Sequence, residues 1–217
     1  MRRRDVIAAG VATTAALAAG GVALSQAMRA RKVAFMVTPG HNVIDLAGAW
    51  EVFQDSGFEL YTVGPSRAPL RMTGGLQVAP DYSFADAPQP DVISLGAQSG
   101  SPDALVWLKR AGTNAEIVMS VCTGAFKLAA TGLLDGLSAT THHDFWDKFE
   151  QAYPKVKLIR GRRFVDNGKF VTAGGLTSGV DSALHVVARL KGQDAAAQTA
   201  LYMEHDGDGW KTGVRNA

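Results

Sequence analysis

The sequence predicts an α/β fold, a mostly parallel sheet with helices on both faces. Two observations carry this. Short apolar runs of strand length alternate with longer runs whose apolar residues recur at helical spacing, the pattern of strand–helix–strand crossovers. Hydrophobic residues make up 47% of the chain and charged ones 19%, enough for a large buried core and too apolar for wholesale disorder. Past about residue 30 there is no internal repeat, no low-complexity tract and no linker long enough to divide two domains.

The elements follow in order. "KVAFMV" (residues 32–37) is a buried strand ended by Pro39-Gly40. "VIDLAGAWEVFQ" (43–54) has apolar residues at helical spacing, and "FELYTV" (58–63) is a second strand stopped by Gly64-Pro65. Residues 70–84 combine Thr-Gly-Gly with alternating apolar positions, which predicts a hairpin or a loose edge. "VISL" (92–95) is a short buried strand. The helix over 102–111 opens with Pro102, tolerated in a first turn. A strand over 116–121 and a helix over 123–134 enclose Cys122. A short strand (138–141) and an amphipathic helix (144–153) come next. Three short strands (156–159, 164–166, 170–173) and two helices (177–190, 194–203) complete the chain.

The formal net charge is +2, and Arg2, Arg3 and Arg4 supply more than that sum, so the body is near neutral. This excludes the basic footprint of a nucleic-acid binder. One cysteine excludes an internal disulfide.

The first thirty residues or so read as an export signal. Three arginines precede an uncharged, Ala/Gly-rich stretch from Val6 to Leu24, and small residues follow at Ser25-Gln26-Ala27 and Ala30. Arg3-Arg4-Asp5-Val6-Ile7 resembles the twin-arginine pattern. The expectation is residues 1–30 as signal or membrane anchor, 31–217 as one domain, and a periplasmic location. The apolar stretch is also just long enough to anchor the protein if it is not cleaved.

"IVMSVCTGAFKLAA" places the lone cysteine between a strand and a helix. Sites in such sheets lie at the carboxyl ends of strands. A sharp turn there would lift Cys122 out of the layer as a nucleophile elbow, with Gly124 admitting close backbone approach. The following helix start is expected to favour thiolate and lower the thiol pKa.

At these residues the sequence resembles the ThiJ/PfpI superfamily, whose glutamine-amidotransferase-like domains have a flavodoxin-type three-layer sandwich. "SVCTGAFKLAATGLLDGLSATTHH" (120–143) is similar to the isonitrile hydratase subgroup and to the sensor domains of AraC-type regulators. "FMVTPGHNVIDLAGAWEVF" (35–53), "GGLTSGVDSALHVVARLKG" (174–192) and "LYMEHDGDGW" (201–210) agree with it. The resemblance implies Cys122 as nucleophile, Asp45 as the acidic residue that approaches the thiol, and Thr123 as its neighbour. Peptidase-like members carry histidine where Thr123 stands. The family's usual Pro-Gly-Gly turn reads "LGAQSG" here, which keeps Gly96 and the Ala97 N–H for the substrate side. His41 is expected to line the pocket.

The other histidines are expected in bland roles. His142 fits the "ATTH" position and suits a fixed structural hydrogen bond, with general base as its lesser role. His185 should be packed in its helix. His205, Asp206 and Asp208 match no zinc or EF-hand spacing and read as a polar tail. Gly174-Gly175 is no phosphate loop, since no Gly-Lys-Ser/Thr follows.

The resemblance implies cysteine-dependent hydration of an isocyanide to an N-substituted formamide, without metal or organic cofactor, on a small-molecule substrate, in a homodimer. Two alternatives stand beside it: an exported thiol-based redox or stress protein, and a related hydrolase or glyoxalase-like enzyme. A DNA-binding regulator is disfavoured, because the chain ends at Ala217 and export would remove it from the chromosome.

Overall fold

The structure, a computed structural model, describes residues 30–212 and the backbone of Val214–Arg215. The expected export segment otherwise lies outside the described residues. Among the described residues, no helix is long and apolar enough to cross a membrane.

The central sheet has eight strands. Strand β1 (Lys32–Met36) lies between β2 (Glu59–Gly64) and β6 (Val92–Leu95), parallel to both. Beyond β6 come β7 (Ile117–Val121) and β11 (Phe170–Ala173), still parallel. Strand β10 (Phe164–Asp166) is antiparallel to β11 and carries β12 (Val214–Arg215) at one edge. Strand β5 (Tyr82–Ser83) forms the other edge. The ambiguous stretch over 70–84 resolves into both expected forms. It is an antiparallel pair, β3 (Leu70–Arg71) with β4 (Gln77–Val78), and then edge strand β5. Strands β8 (Ser138–Ala139) and β9 (Lys157–Leu158) make a separate parallel pair.

Period-two alternation divides the core. Val33, Phe35 and Val37 face α1 (Val43–Asp55), α5 (Ser178–Lys191) and α6 (Gln193–Tyr202). Ala34 and Met36 face α2 (Pro102–Asn114), α3 (Gly124–Ala130) and α4 (Trp146–Ala152). Near-continuous apolar strands are what a sheet covered on both faces requires. The three-layer α/β sandwich is therefore as the sequence implied.

Helix α1 begins where Asn42 caps it, its side chain accepting from the Ile44 N–H at 3.2 Å. Helix α2 begins at Ser101, which accepts from Ala104, with Pro102 in the first turn. Helix α3 is shorter than its apolar pattern suggests. Gly132, at φ 78°, breaks it before Leu133 and Leu134.

His185 is packed, but it is also paired. Its Nε2 lies 2.8 Å from Asp166, which also takes Arg189 at 3.0 Å. Burial alone would raise the Asp166 carboxyl, yet His185, the Gly168 N–H and Arg189 hold it below its usual range. His205 is likewise more than a loose tail. It pairs with buried Asp181 on α5 at 2.9 Å, and Arg163 pairs with the same carboxylate.

Candidate active site

Four loops converge at the carboxyl ends of β1, β6, β7 and β11, beside the point where the chain reverses its direction of travel across the sheet. Cys122 follows β7 with φ 75°, a left-handed backbone that costs a non-glycine residue about 1–2 kcal/mol. Its neighbours hold it there. The Cys122 N–H donates to the Ala173 carbonyl at 3.2 Å, and the Thr141 hydroxyl donates to the Cys122 carbonyl at 2.8 Å. Gly124 allows the turn to seat: a Cβ there would lie 2.6 Å from the Leu95 carbonyl oxygen. The strand–elbow–helix geometry is the one the sequence suggested.

Asp45 reaches this elbow from the first turn of α1 and is buried. Its Oδ2 accepts the Ala97 N–H at 2.9 Å and its Oδ1 the Leu176 N–H at 3.1 Å. The Cys122 thiol hydrogen-bonds to the same carboxyl. Burial pushes the Asp45 carboxyl up, against the opposing pull of those two N–H groups, the thiol and nearby His142. The thiol is pushed up as well, to about 12, by burial first and then by the Asp45 charge, while the Thr123 backbone N–H pulls it down. This corrects the expectation of a lowered thiol pKa. The helix start is real, but α3 has only seven residues, and burial beside a carboxylate outweighs it. Cys122 and Asp45 thus form a buried thiol–carboxyl pair in which each group shifts the other's titration.

Thr123 occupies the N-cap position of α3, with no side-chain capping bond. It lines a cleft of about 230 Å³ with Phe126, Lys127, Phe145 and Lys148. On the other side of the elbow, His142, Trp146, Arg162, Gly175 and Thr177 help line a second cleft of about 380 Å³.

Gly96, Ala97 and His41 lie beside Asp45, but their polar groups are engaged within the protein. The Gly96 N–H donates to His41 Nε2 at 3.2 Å. Nε2 therefore carries no proton, and Nδ1 is the ring nitrogen that donates to the Asn42 carbonyl at 2.9 Å. Burial lowers the His41 pKa to about 4, only partly offset by that carbonyl, so the ring is neutral at pH 7. The departure from Pro-Gly-Gly is absorbed by Gln98. Its Oε1 accepts from the Thr38 hydroxyl at 3.0 Å and its Nε2 donates to the Met36 carbonyl at 3.1 Å, tying the "LGAQSG" loop to the end of β1.

His142 does make a local structural bond, accepting the Asp144 N–H at 3.3 Å. Its ring also comes close to the surroundings of the Cys122 sulfur. A Cβ on Gly175 would lie 2.7 Å from His142 Cδ2 and 3.3 Å from Cys122 Sγ. Sequence reasoning missed Gln98, the Leu176 N–H and this role of Gly175. Gly174-Gly175 was the available signal, a pair of small residues that reads as a turn until its neighbours are known. His142, His143 and Asp144 place potential ligand atoms within 4.8 Å of one another. The Asp144 N–H already occupies the His142 Nδ1 lone pair.

A buried thiol–carboxyl pair thus sits at a strand-to-helix elbow of a three-layer α/β sandwich, and comparison with known proteins gives the family of that fold. Residues 31–189 match the DJ-1/PfpI family, and the chain belongs to that family. It is 32% identical to an isonitrile hydratase of Pseudomonas putida over 184 residues, 81% of this chain and 79% of that protein. It is 28% identical over 179 residues to the HTH-type transcriptional regulator GbdR of Pseudomonas aeruginosa, covering 77% of this chain but only 48% of the regulator. Among solved structures, a ThiJ/PfpI family protein from Pseudomonas syringae superposes with a TM-score of 0.76 at 29% identity, over 83% of this chain and 77% of that one.

Proposed function

We propose that the protein is a cofactor-free hydratase that adds water to an isocyanide and releases an N-substituted formamide. The observation that carries this reading is the buried Cys122 thiol hydrogen-bonded to the Asp45 carboxyl at the elbow. The thiol adds to the terminal carbon of the isocyanide. A C–S bond forms as Asp45 takes the thiol proton and returns it to the same carbon, giving a thioimidate, R–N=CH–S–Cys122. Asp45 then draws a proton from water as the oxygen attacks that carbon, and the imine nitrogen gains a proton. Collapse expels the Cys122 sulfur, which regains its proton, and leaves R–NH–CHO. One water is consumed and nothing is oxidised or reduced. Thr123, beside the sulfur, orients the water or the thiolate.

Two features favour hydration over the other chemistries. Hydrolysis of an ester or amide needs donors for an oxyanion, and the Gly96 and Ala97 N–H groups are already held by His41 and Asp45. Addition of a thiol to an isocyanide develops no oxyanion. A peroxide-sensing thiol needs a standing thiolate, and this thiol is pushed up to about 12.

The deciding experiment incubates the chain and its Cys122→Ala variant with an alkyl isocyanide and follows formamide by proton NMR. Turnover by the parent and none by the variant is the expected result. Turnover by neither abandons the hydratase. The protein is further proposed to act as a homodimer, checked by sedentation-independent mass measurement such as light scattering. Export through the twin-arginine route is also proposed. Changing Arg3 and Arg4 together to Lys should leave a periplasmic reporter fusion in the cytoplasm, and undiminished export would reject that route.

A further inference from the structure

Both clefts beside Cys122 are walled by cations and by no carboxylate. Thr123, adjacent to the nucleophile, shares its cleft with Lys127 and Lys148. Gly175, against the sulfur, shares the other with Arg162 and Arg163. Arg163 is committed to Asp181 and Thr177. The side chains of Lys127, Lys148 and Arg162 make no ion pair or hydrogen bond among the described residues. The exposed acid Asp144 lies 3.1 Å from His143 Nε2 and 3.7 Å from His142 Nδ1, and its charge, after that of Asp45, raises the Cys122 thiol.

Lys127 is the most telling of the three. It is half-buried, and its stem packs on the loop after Gln98: a Cβ at Gly100 would lie 2.9 Å from Lys127 Cε. Burial without a counter-ion lowers its pKa. A partly desolvated ammonium with no partner is costly to keep, and a cleft lined by one sign of charge concentrates ligands of the other.

We propose that the site selects a substrate bearing a carboxylate close to its reacting group, with Lys127 as the principal counter-charge and Arg162 reinforcing the field from the opposite cleft. On the hydratase reading, on which this substrate class rests, the substrate is an isocyano carboxylate rather than a neutral isocyanide.

Two measurements on the full chain separate the charge preference from the chemistry. The first alkylates Cys122 with iodoacetate and with iodoacetamide, where the sulfur displaces iodide in either case. The rate ratio of anionic to neutral reagent is normalised to that of free cysteine. The ratio should exceed unity by about tenfold at low salt and shrink at high salt as screening sets in. Lys127→Met should lower it about fivefold and Arg162→Gln about twofold, while Lys109→Gln, an exposed lysine of α2 that lines neither cleft, should leave it unchanged. A normalised ratio at or below one overturns the proposal. So does a high ratio indifferent to both Lys127→Met and Arg162→Gln. The second compares kcat/KM for isocyanoacetate and its methyl ester, with the carboxylate expected to be preferred. A preference for the ester overturns the substrate class. If neither yields formamide while the alkylation ratio remains high, the hydratase reading fails and the anion-selective cleft stands.

Discussion

Asp45→Asn should reduce formamide production about 10²- to 10⁴-fold, the range for losing a positioned acid–base group. The variant cannot take the thiol proton or return it to carbon. It keeps only one acceptor oxygen for the Ala97 and Leu176 N–H groups, which costs about 1–3 kcal/mol of stability. A second readout distinguishes loss of chemistry from loss of fold. The Asp45 charge and its hydrogen bond both raise the Cys122 pKa, now about 12. Removing them should lower it, while burial keeps it above the ordinary thiol value. Alkylation of Cys122 by iodoacetamide, followed against pH, should therefore rise at lower pH in the variant than in the parent. Unchanged turnover, or an unmoved alkylation profile, would remove Asp45 from the mechanism.

Gly124→Ala should be a strongly damaging single-methyl change near the site. The added carbon would lie 2.6 Å from the Leu95 carbonyl oxygen and 3.0 Å from that of Gly96. These are main-chain atoms at the end of a central strand, so neither can rotate away. Overpacking of this kind costs about 1–3 kcal/mol, and for a chain of this size that lowers Tm by roughly 2–12 °C. The elbow must also tilt, so activity should fall by more than the loss of folded protein explains. Calorimetry together with activity per folded molecule checks both parts. Wild-type Tm and turnover would show that the elbow and the Leu95 strand end do not constrain each other.

The fold was legible because the strands announce themselves. "VAFMV" is apolar at every position and "IVMSV" at all but Ser120, close to what strands buried on both faces require, and Pro39-Gly40 marks where the first of them stops. Cys122 was legible from its place between such a strand and an Ala/Leu-rich helix. The thiol's ionisation was not. A helix start is visible in sequence, whereas the depth of burial and a carboxylate contributed from 77 residues away are tertiary facts. The same holds for His41. Its nearness to Asp45 could be read from the chain, but not that the Gly96 N–H occupies its free nitrogen. Gln98 carried no pattern at all, because its two hydrogen bonds go to Thr38 and Met36 across 60 and 62 residues.

The left-handed backbone at Cys122 makes position 122 a place where durability and reactivity oppose each other. Selection for thermal endurance alone would install glycine there, since glycine adopts that conformation freely. Cys122→Gly should accordingly outlast Cys122→Ala by about 1 kcal/mol, although glycine is ordinarily the less stabilising of the two. A cysteine retained at such a position is sustained by what its sulfur does. Any lineage released from that task would be expected to drift toward a tougher, inert chain by a single substitution.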